Sequence, residues 1–239
     1  IDNLEEAVVE EKKIEEMDVV FLMDRFGYAK TVDVSVYERN KEAADTENRY
    51  ILTCKNTDKI CIFTNKGQMH LLKVLDLPYG KFRDKGIPID NLSNYDSSEE
   101  NFIYIINLGA IIHSRLLFGT KTAMLKMVDG SEFDVAKRTT ASTKLNEDDE
   151  LLIVHAMTGE ETVVMQSEKE MFLRIEASTI PEKKKGAVGV RGMKLNAGDA
   201  LSNIYVLDGE NEQTVEVKGK EVVLNRLRVG NRDTKGTKR

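Results

Sequence analysis

Three prolines, two cysteines and three histidines are all that the 239 residues contain of these types. With only 16 glycines beside so little proline, collagen-like and linker-dominated architectures are excluded. Cys54 and Cys61 stand seven apart without a companion pair, a spacing that fits no zinc knuckle. They read as two reduced, partly buried thiols of a cytosolic protein. His70, His113 and His155 are scattered singly, so no metal cage is expected. No apolar run approaches the roughly 18 residues of a membrane span, so an integral membrane protein is not expected. The chain opens at Ile1 without a basic-then-apolar leader, which reads as a piece of a longer protein with nothing pointing to export. At 41% hydrophobic residues the chain still holds enough apolar surface for a core.

The formal charge of −6 hides a polarity. Residues 1 to 16 hold seven acids against two bases, and residues 181 to 239 hold thirteen bases against eight acids. Such segregation points to a polyanion partner for the basic part. Residues 1–16 are set apart as an acidic lead-in, in which Glu5 to Glu16 forms a short helix or a charged edge strand. Residues 17–239 form the domain proper.

Short apolar runs rich in β-branched and aromatic residues recur along that domain. They are Asp18 to Met23, Lys59 to Phe63, Phe102 to Leu108, Arg115 to Phe118, Leu151 to Val154, Thr162 to Met165, Asn203 to Leu207 and Val222 to Leu224. Their length favours strands over helices, and no window sustains a 3.6-residue period. They are embedded in a repeat of apolar run, turn, apolar pair and base. Its copies run from Val19 to Lys30, Ile60 to His70, Leu116 to Lys126 and Val163 to Arg174, with a worn fifth from Val215 to Arg226. The turn falls at Gly27, Gly67, Ala123 and Glu170, every 40 to 56 residues. Several strands per unit at that period predict propeller-like blades, about five of four strands each.

A second element recurs between the hairpins, a base-rich stretch usually carrying glycine. It is Lys81 to Gly86, Lys183 to Gly192 and Arg232 to Gly236, with Lys137-Arg138 in the same slot of the third unit. After the stretch from Arg232 the chain is expected to stop short of a following strand. Glycine lets a backbone approach a ligand closely, and lysine and arginine neutralise phosphates. The 183–192 spacing is not that of a dinucleotide fingerprint or a P-loop, so nucleotide binding is not favoured. Basic corners repeated once per blade predict a curved positive rim suited to duplex DNA. The candidate DNA-contacting residues are Lys81, Arg83, Lys85, Lys137, Arg138, Lys183, Lys184, Lys185, Arg191, Arg228, Arg232 and Lys235.

No catalytic residue and no metal ligand is expected. Asp148-Asp149 and Glu160-Glu161 read as polar turns that serve solubility. His70 occupies the basic position of its repeat, which predicts a surface or strand-end role. The competing class is a protein-binding propeller with no DNA role, which the net negative charge favours.

The repeats resemble the C-terminal domain of the A subunit of bacterial type IIA topoisomerases, DNA gyrase and topoisomerase IV. The matching residues are Asp18-Val-Val-Phe-Leu with Phe26-Gly-Tyr-Ala-Lys30, and Ile62-Phe-Thr-Asn-Lys-Gly67 with Val74-Leu-Asp-Leu-Pro78. Others are Gly86-Ile-Pro-Ile-Asp-Asn-Leu92, Gly189-Val-Arg-Gly-Met-Lys-Leu195 with Gly198-Asp199, and Thr234-Lys-Gly236. The resemblance covers nearly the whole chain from Asp18. It implies an all-β fold, a β-pinwheel of about five to six four-stranded blades that exchange strands. It also implies a rim that bends duplex DNA without reading its sequence and a fragment that neither cuts DNA nor needs a cofactor. ATP and Mg2+ would serve other parts of the parent. The implied partners are duplex DNA, the ATPase B subunit of a heterotetramer and the rest of its A subunit, with no membrane partner. The implied location is the cytoplasm, at the nucleoid.

One departure separates the two enzymes. Gyrase A carries a Q-R-R-G-G-K-G box after the first hairpin, whereas Tyr37 to Asn48 here reads Tyr-Glu-Arg-Asn-Lys-Glu-Ala-Ala-Asp-Thr-Glu-Asn. The glycines are gone, and Glu42, Asp45 and Glu47 offset Arg39, Lys41 and Arg49. That favours a topoisomerase IV-like subunit over gyrase, with a first blade that binds DNA weakly.

Overall fold

The computed structural model describes residues 13–239. Most of the acidic lead-in, with the helix or strand expected from Glu5 onward, therefore lies outside the described residues. Just inside them, Met17 N–H donates to Asn56 Oδ1 at 3.0 Å and Asn56 Nδ2 donates to Glu15 O at 3.0 Å.

In chain order, β1 (Asp18–Met23) and β2 (Tyr28–Asp33) form the first hairpin. Helices α1 (Val34–Arg39) and α2 (Lys41–Glu47) and strand β3 (Tyr50–Lys55) follow. The second hairpin is β4 (Lys59–Thr64) and β5 (Gln68–Lys73), followed by β6 (Ile87–Pro88), α3 (Ile89–Leu92) and β7 (Phe102–Asn107). After α4 (Leu108–Ile111) come the hairpin β8 (Arg115–Thr120) and β9 (Met124–Asp129), then β10 (Thr139–Ala141) and β11 (Leu151–Met157). The fourth hairpin is β12 (Thr162–Ser167) and β13 (Met171–Glu176), with β14 (Val190–Arg191) and β15 (Leu201–Leu207) behind it. The fifth is β16 (Thr214–Val217) and β17 (Lys220–Val223), followed by β18 (Thr237–Lys238).

Four sheets hold four strands each, ordered β3-β1-β2-β6, β7-β4-β5-β10, β11-β8-β9-β14 and β15-β12-β13-β18; β16 and β17 form a two-stranded fifth. The last strand of each four-stranded blade comes from the return segment of the next hairpin, so neighbouring blades exchange strands. This is the expected all-β pinwheel with five blades, the fifth holding only its hairpin among the described residues. The chain does not stop short of a strand after Arg232: Thr237 and Lys238 pair with Phe172 and Met171 and complete blade 4.

The central strands explain the apolar runs. β1, β4, β8 and β12 are buried along nearly their whole length, because a blade inside a stack is covered on both faces and needs no alternation. Val19, Phe21 and Met23 pack with Ile60, Ile62 and Leu72 between blades 1 and 2. Phe63 meets Phe118 and Phe133 edge-on, at 6.0 and 5.0 Å, between blades 2 and 3. Leu117 and Leu125 pack with Val163 and Met165 between blades 3 and 4, and Val164 and Phe172 with Val217 and Leu224 between blades 4 and 5. All four repeat turns sit in left-handed backbone, Gly27 at φ 88°, Gly67 at 74°, Ala123 at 66° and Glu170 at 64°. Each closes a turn with its N–H bonded to the carbonyl three residues back, a type I turn ended by a left-handed residue.

The stretch from Val34 to Glu47 is helical, not part of the β architecture expected throughout. α1 and α2 lie on the face of blade 1 that no other blade covers. There Val20, Leu22, Val32 and Ala44 are fully buried, with Val34, Val36, Tyr37, Ile51 and Phe82 packed against them. The stretch in the position of the missing box is thus an amphipathic cover over a terminal blade.

Two acid pairs do more than solubilise. Asp149 and Glu161 are buried. Asp149 Oδ1 accepts from the Thr122 and Glu150 amides, and the Glu161 carboxylate from those of Thr158 and Gly159.

Candidate nucleic-acid interface

Strand order fixes which edge of each blade faces out. β7 lies beside both β3 and β11, and β11 beside β15, so these strands line the inner edge. The exchanged strands β6, β10, β14 and β18 occupy the opposite end of every four-stranded sheet, which is the outer rim. Each is reached along the same path. The second strand of a hairpin runs into a 3-10 turn, at Val74–Asp76, Gly130–Phe133, Ala177–Thr179 or Leu224–Arg226. The chain then makes a parallel bridge to the preceding blade, Thr31 to Tyr79, Met127 to Glu182 or Arg174 to Val229. A loop follows, and then the exchanged strand.

All twelve candidate bases sit on these return segments. Lys81, Arg83 and Lys85 precede β6, Lys137 and Arg138 precede β10, Lys183, Lys184 and Lys185 precede β14, and Arg228, Arg232 and Lys235 precede β18; Arg191 lies in β14 itself. Lys185 and Arg232 are half-buried and the other ten are exposed. Several are already engaged. Arg191 Nε meets Asp233 Oδ1 at 2.5 Å, and this contact holds the Asp233 carboxyl below the usual range. Arg232 Nη1 donates to Arg191 O at 2.9 Å, Lys185 Nζ to Glu132 O at 3.1 Å and Arg138 Nη2 to Leu92 O at 3.0 Å. Lys85 lies over the Tyr28 ring at 4.7 Å. Lys81, Arg83, Lys137, Lys183, Lys184, Arg228 and Lys235 form no ion pair among the described residues.

The rim is uneven. The return loops of hairpins four and five are joined, with Asp233 N–H donating to Gly192 O at 2.8 Å and Lys194 N–H to Thr234 O at 2.9 Å. Bases outnumber acids along this joined edge, whereas in the third unit Glu132 and Asp134 offset Lys137 and Arg138.

The loop glycines do not open a ligand cradle. A Cβ on Gly86 would stand 2.5 Å from Ala29 O, and one on Gly189 2.5 Å from Leu125 O. Gly236 crosses Phe172 O in the same way, at φ 71°. The glycine is where the loop crosses the neighbouring strand before pairing with it.

The repeat's own base also differs from expectation. His70 is buried, with Nδ1 2.8 Å from Thr139 Oγ1 and Nε2 2.9 Å from Glu100 Oε2, so its role is neither surface nor strand-end. Lys126, also buried, directs Nζ to Ala187 O at 2.7 Å, Lys184 O at 2.9 Å and Lys185 O at 3.4 Å. Lys30 Nζ reaches Phe82 O and, at 2.9 Å, Asp84 O. Arg174 Nη1 donates to Asn225 O at 2.8 Å and Leu227 O at 3.1 Å. Sequence reasoning missed these inward cations. Their signal was a base fixed three or four residues after the turn, in the middle of a largely apolar strand.

The cysteines are free and buried. Burial pushes the Cys54 thiol up to about 12, and Cys61 upward as well. Among the described residues no cluster of three or more His, Cys, Asp or Glu side chains has metal-holding geometry. No described helix is long and apolar enough to cross a membrane.

Known proteins share this arrangement. The family model described as DNA gyrase C-terminal domain, beta-propeller, matches residues 114–156 and 161–208, which hold the hairpins and inner strands of blades 3 and 4. Identity is 29% to the DNA gyrase A protein of Staphylococcus epidermidis, over 98% of this chain and 28% of that protein. It is 28% to that of Lawsonia intracellularis, over 95% and 30%. The chain thus spans less than a third of the length of these relatives. Among solved structures, the C-terminal domain of DNA topoisomerase IV superposes with a TM-score of 0.82 at 22% identity, covering 94% of this chain and 73% of that one. The E. coli ParC C-terminal domain gives 0.75 at 14%, covering 93% and 94%, and the DNA gyrase A C-terminal domain 0.61 at 17%, covering 92% and 76%. Strand-exchanged blades, the return loops between them and these likenesses converge on one fold: the chain is a β-pinwheel similar to the C-terminal domains of DNA gyrase A and topoisomerase IV.

Proposed function

We propose that this domain binds and bends duplex DNA along its outer rim, without sequence preference, and presents it to the strand-passage core of a parent type IIA topoisomerase. The observation that carries this reading is the recurrence of exposed lysines and arginines on equivalent return loops at the outer edge of consecutive blades. A uniform polyanion is met by cations recurring on each return loop and densest along the joined edge, and bases that contact phosphates carry no sequence information. The joined edge of blades 3 and 4 holds Lys183, Lys184, Lys185, Arg191, Arg228, Arg232 and Lys235, so it dominates the contact.

The parent would be a topoisomerase IV-like enzyme that relaxes or decatenates DNA with ATP. Its supporting observation is the acidic helical pair α1–α2, which stands where a glycine-rich basic corner would guide entering DNA. In this reading the protein partners are the rest of the A subunit, to which this domain is joined, together with an ATPase B subunit. ATP and Mg2+ act outside this chain. The domain works in the cytoplasm, at the nucleoid.

Duplex binding measured across a salt series tests the proposal. A steep loss of affinity with salt supports the rim. Reversing Lys183, Lys184 and Lys185 together to glutamate should weaken binding roughly ten-fold or more near 0.1 M salt and flatten the slope, equally for unrelated sequences. Unchanged affinity would transfer the domain to a protein-binding role.

A further inference from the structure

Lys30 and Lys126 occupy the same ladder position in blades 1 and 3. Each stands three residues past the turn, opposite Leu22 and Phe118 on the partner strand. Each leaves its own blade to bond the carbonyls of the loop arriving from the next hairpin: Phe82 and Asp84 for Lys30, and Lys184, Lys185 and Ala187 for Lys126. Lys126 is only 1% exposed. In blade 4 the position is held by Leu173, and the neighbouring Arg174 reaches across to Asn225 and Leu227. These carbonyl bonds fix the loop backbone, with Lys183 and Lys184, and Lys81, Arg83 and Lys85 in blade 1, exposed, while Lys185 and Phe82 turn inward.

We infer that Lys126, and Lys30 in its blade, are positioning residues that hold the return loop in the conformation presenting Lys183 and Lys184, or Lys81, Arg83 and Lys85, to a duplex. The inference rests on the proposed DNA role and deepens it. These lysines touch no phosphate; they act through the loops they hold. Burial lowers the pKa of both, to about 8 for Lys126, which means the charged form sits in an environment that disfavours it. A cation kept at such a cost serves geometry more than cohesion. The groups facing Lys126 Nζ are the loop carbonyls, the Phe118 ring at 5.6 Å and the Glu132 carboxylate, which also accepts from the Lys185 amide at 3.2 Å.

The test compares the 239-residue chain with its Lys126→Met and Lys126→Arg variants, by amide hydrogen exchange and by binding to a 30-base-pair duplex. Lys126→Met should speed exchange across residues 183–189 while β8, β9 and β12 stay protected. It should also weaken duplex binding about 3- to 10-fold with a shallower salt slope. Lys126→Arg should restore both, since arginine already performs this task in blade 4. Unchanged exchange at 183–189 in Lys126→Met overturns the holding role, and faster exchange with unchanged affinity overturns the presenting role. Loss of protection throughout the chain would show Lys126 to be a general stabiliser and overturn the inference. The lysine reversal at 183, 184 and 185 separates the two readings: if it leaves duplex binding intact, the DNA role fails, while the exchange result still decides whether Lys126 holds the loop.

Discussion

Glycines 186 and 189 lie three residues apart in one basic loop, yet their surroundings differ completely. A Cβ on Gly186 would meet nothing within 4 Å, whereas one on Gly189 would drive into the Leu125 backbone. Gly189→Ala should therefore cost about 2–3 kcal/mol of stability, because the obstacle is backbone that cannot step aside. Gly186→Ala should be close to neutral, and denaturant titration of the two variants would check the contrast. Lys126 adds a pH signature. Its folded pKa of about 8 lies below the ordinary lysine value of 10.5. Between these values the unfolded chain holds a proton that the folded chain has released, so this group makes stability rise with pH across that window. The buried thiols work in the opposite sense above pH 9, since their raised pKa values keep folded protons that the unfolded chain loses. They are common to both proteins and cancel in a difference. Wild-type stability minus that of Lys126→Met should increase from pH 8 to pH 10, and a flat difference would refute the assignment.

At the scale of elements, α1 and α2 set the character of blade 1. Only Ala44 of the pair is buried, while Glu42 is exposed and Glu47 lines the crevice beside Lys30, Arg83 and Lys85. Replacing Glu42 and Glu47 together with lysine should raise duplex affinity about 2- to 5-fold and steepen the salt slope, read by the same titration. Their short length also explains why they were not legible. Helices of 6 and 7 residues hold too few turns to show a period, and their apolar contacts come from Leu22 and Val32, which lie outside them in the chain. The hairpins were legible for the converse reason. Val19 to Met23 and Val163 to Met165 are covered on both faces, so they stand out as unbroken apolar runs shortly before a turn. The exchanged strands escaped notice because two residues such as Ile87 and Pro88 carry no pattern, and their partners Ala29 and Tyr28 belong to another unit. The exposed bases were visible through recurrence. The inward direction of Lys30, His70 and Lys126 was not, since it depends on a loop more than 50 residues downstream for each lysine.

For the whole molecule, the sign of the net charge matters less than where the charges sit. The turns that lead into the inner strands β7 and β11 carry Asp96, Glu99, Glu147 and Asp148, the hairpin tips carry both signs, and the return loops at the outer edge carry the candidate bases. On the proposed function a duplex is thus kept off the inner turns and drawn to the rim, which favours an edge-on approach despite the overall −6. Nuclease protection should show a footprint that shrinks when Arg228, Arg232 and Lys235 are reversed to glutamate and is indifferent to sequence; a footprint set by sequence would contradict backbone contact.

The helical cover on blade 1 has a topological consequence. α1 and α2 occupy the face against which a further blade would pack, so the outer edges follow one another as an arc that starts at blade 1. DNA led along an arc enters and leaves in diverging directions. It need not cross itself, so it forms no node of fixed sign beside the transported segment. In the proposed parent, strand passage would then have no built-in handedness and would run downhill, unlinking circles and removing supercoils of either sense. On that proposal the intact parent should relax and decatenate with ATP, and sustained introduction of negative supercoils by it would show that the entering and leaving segments do cross.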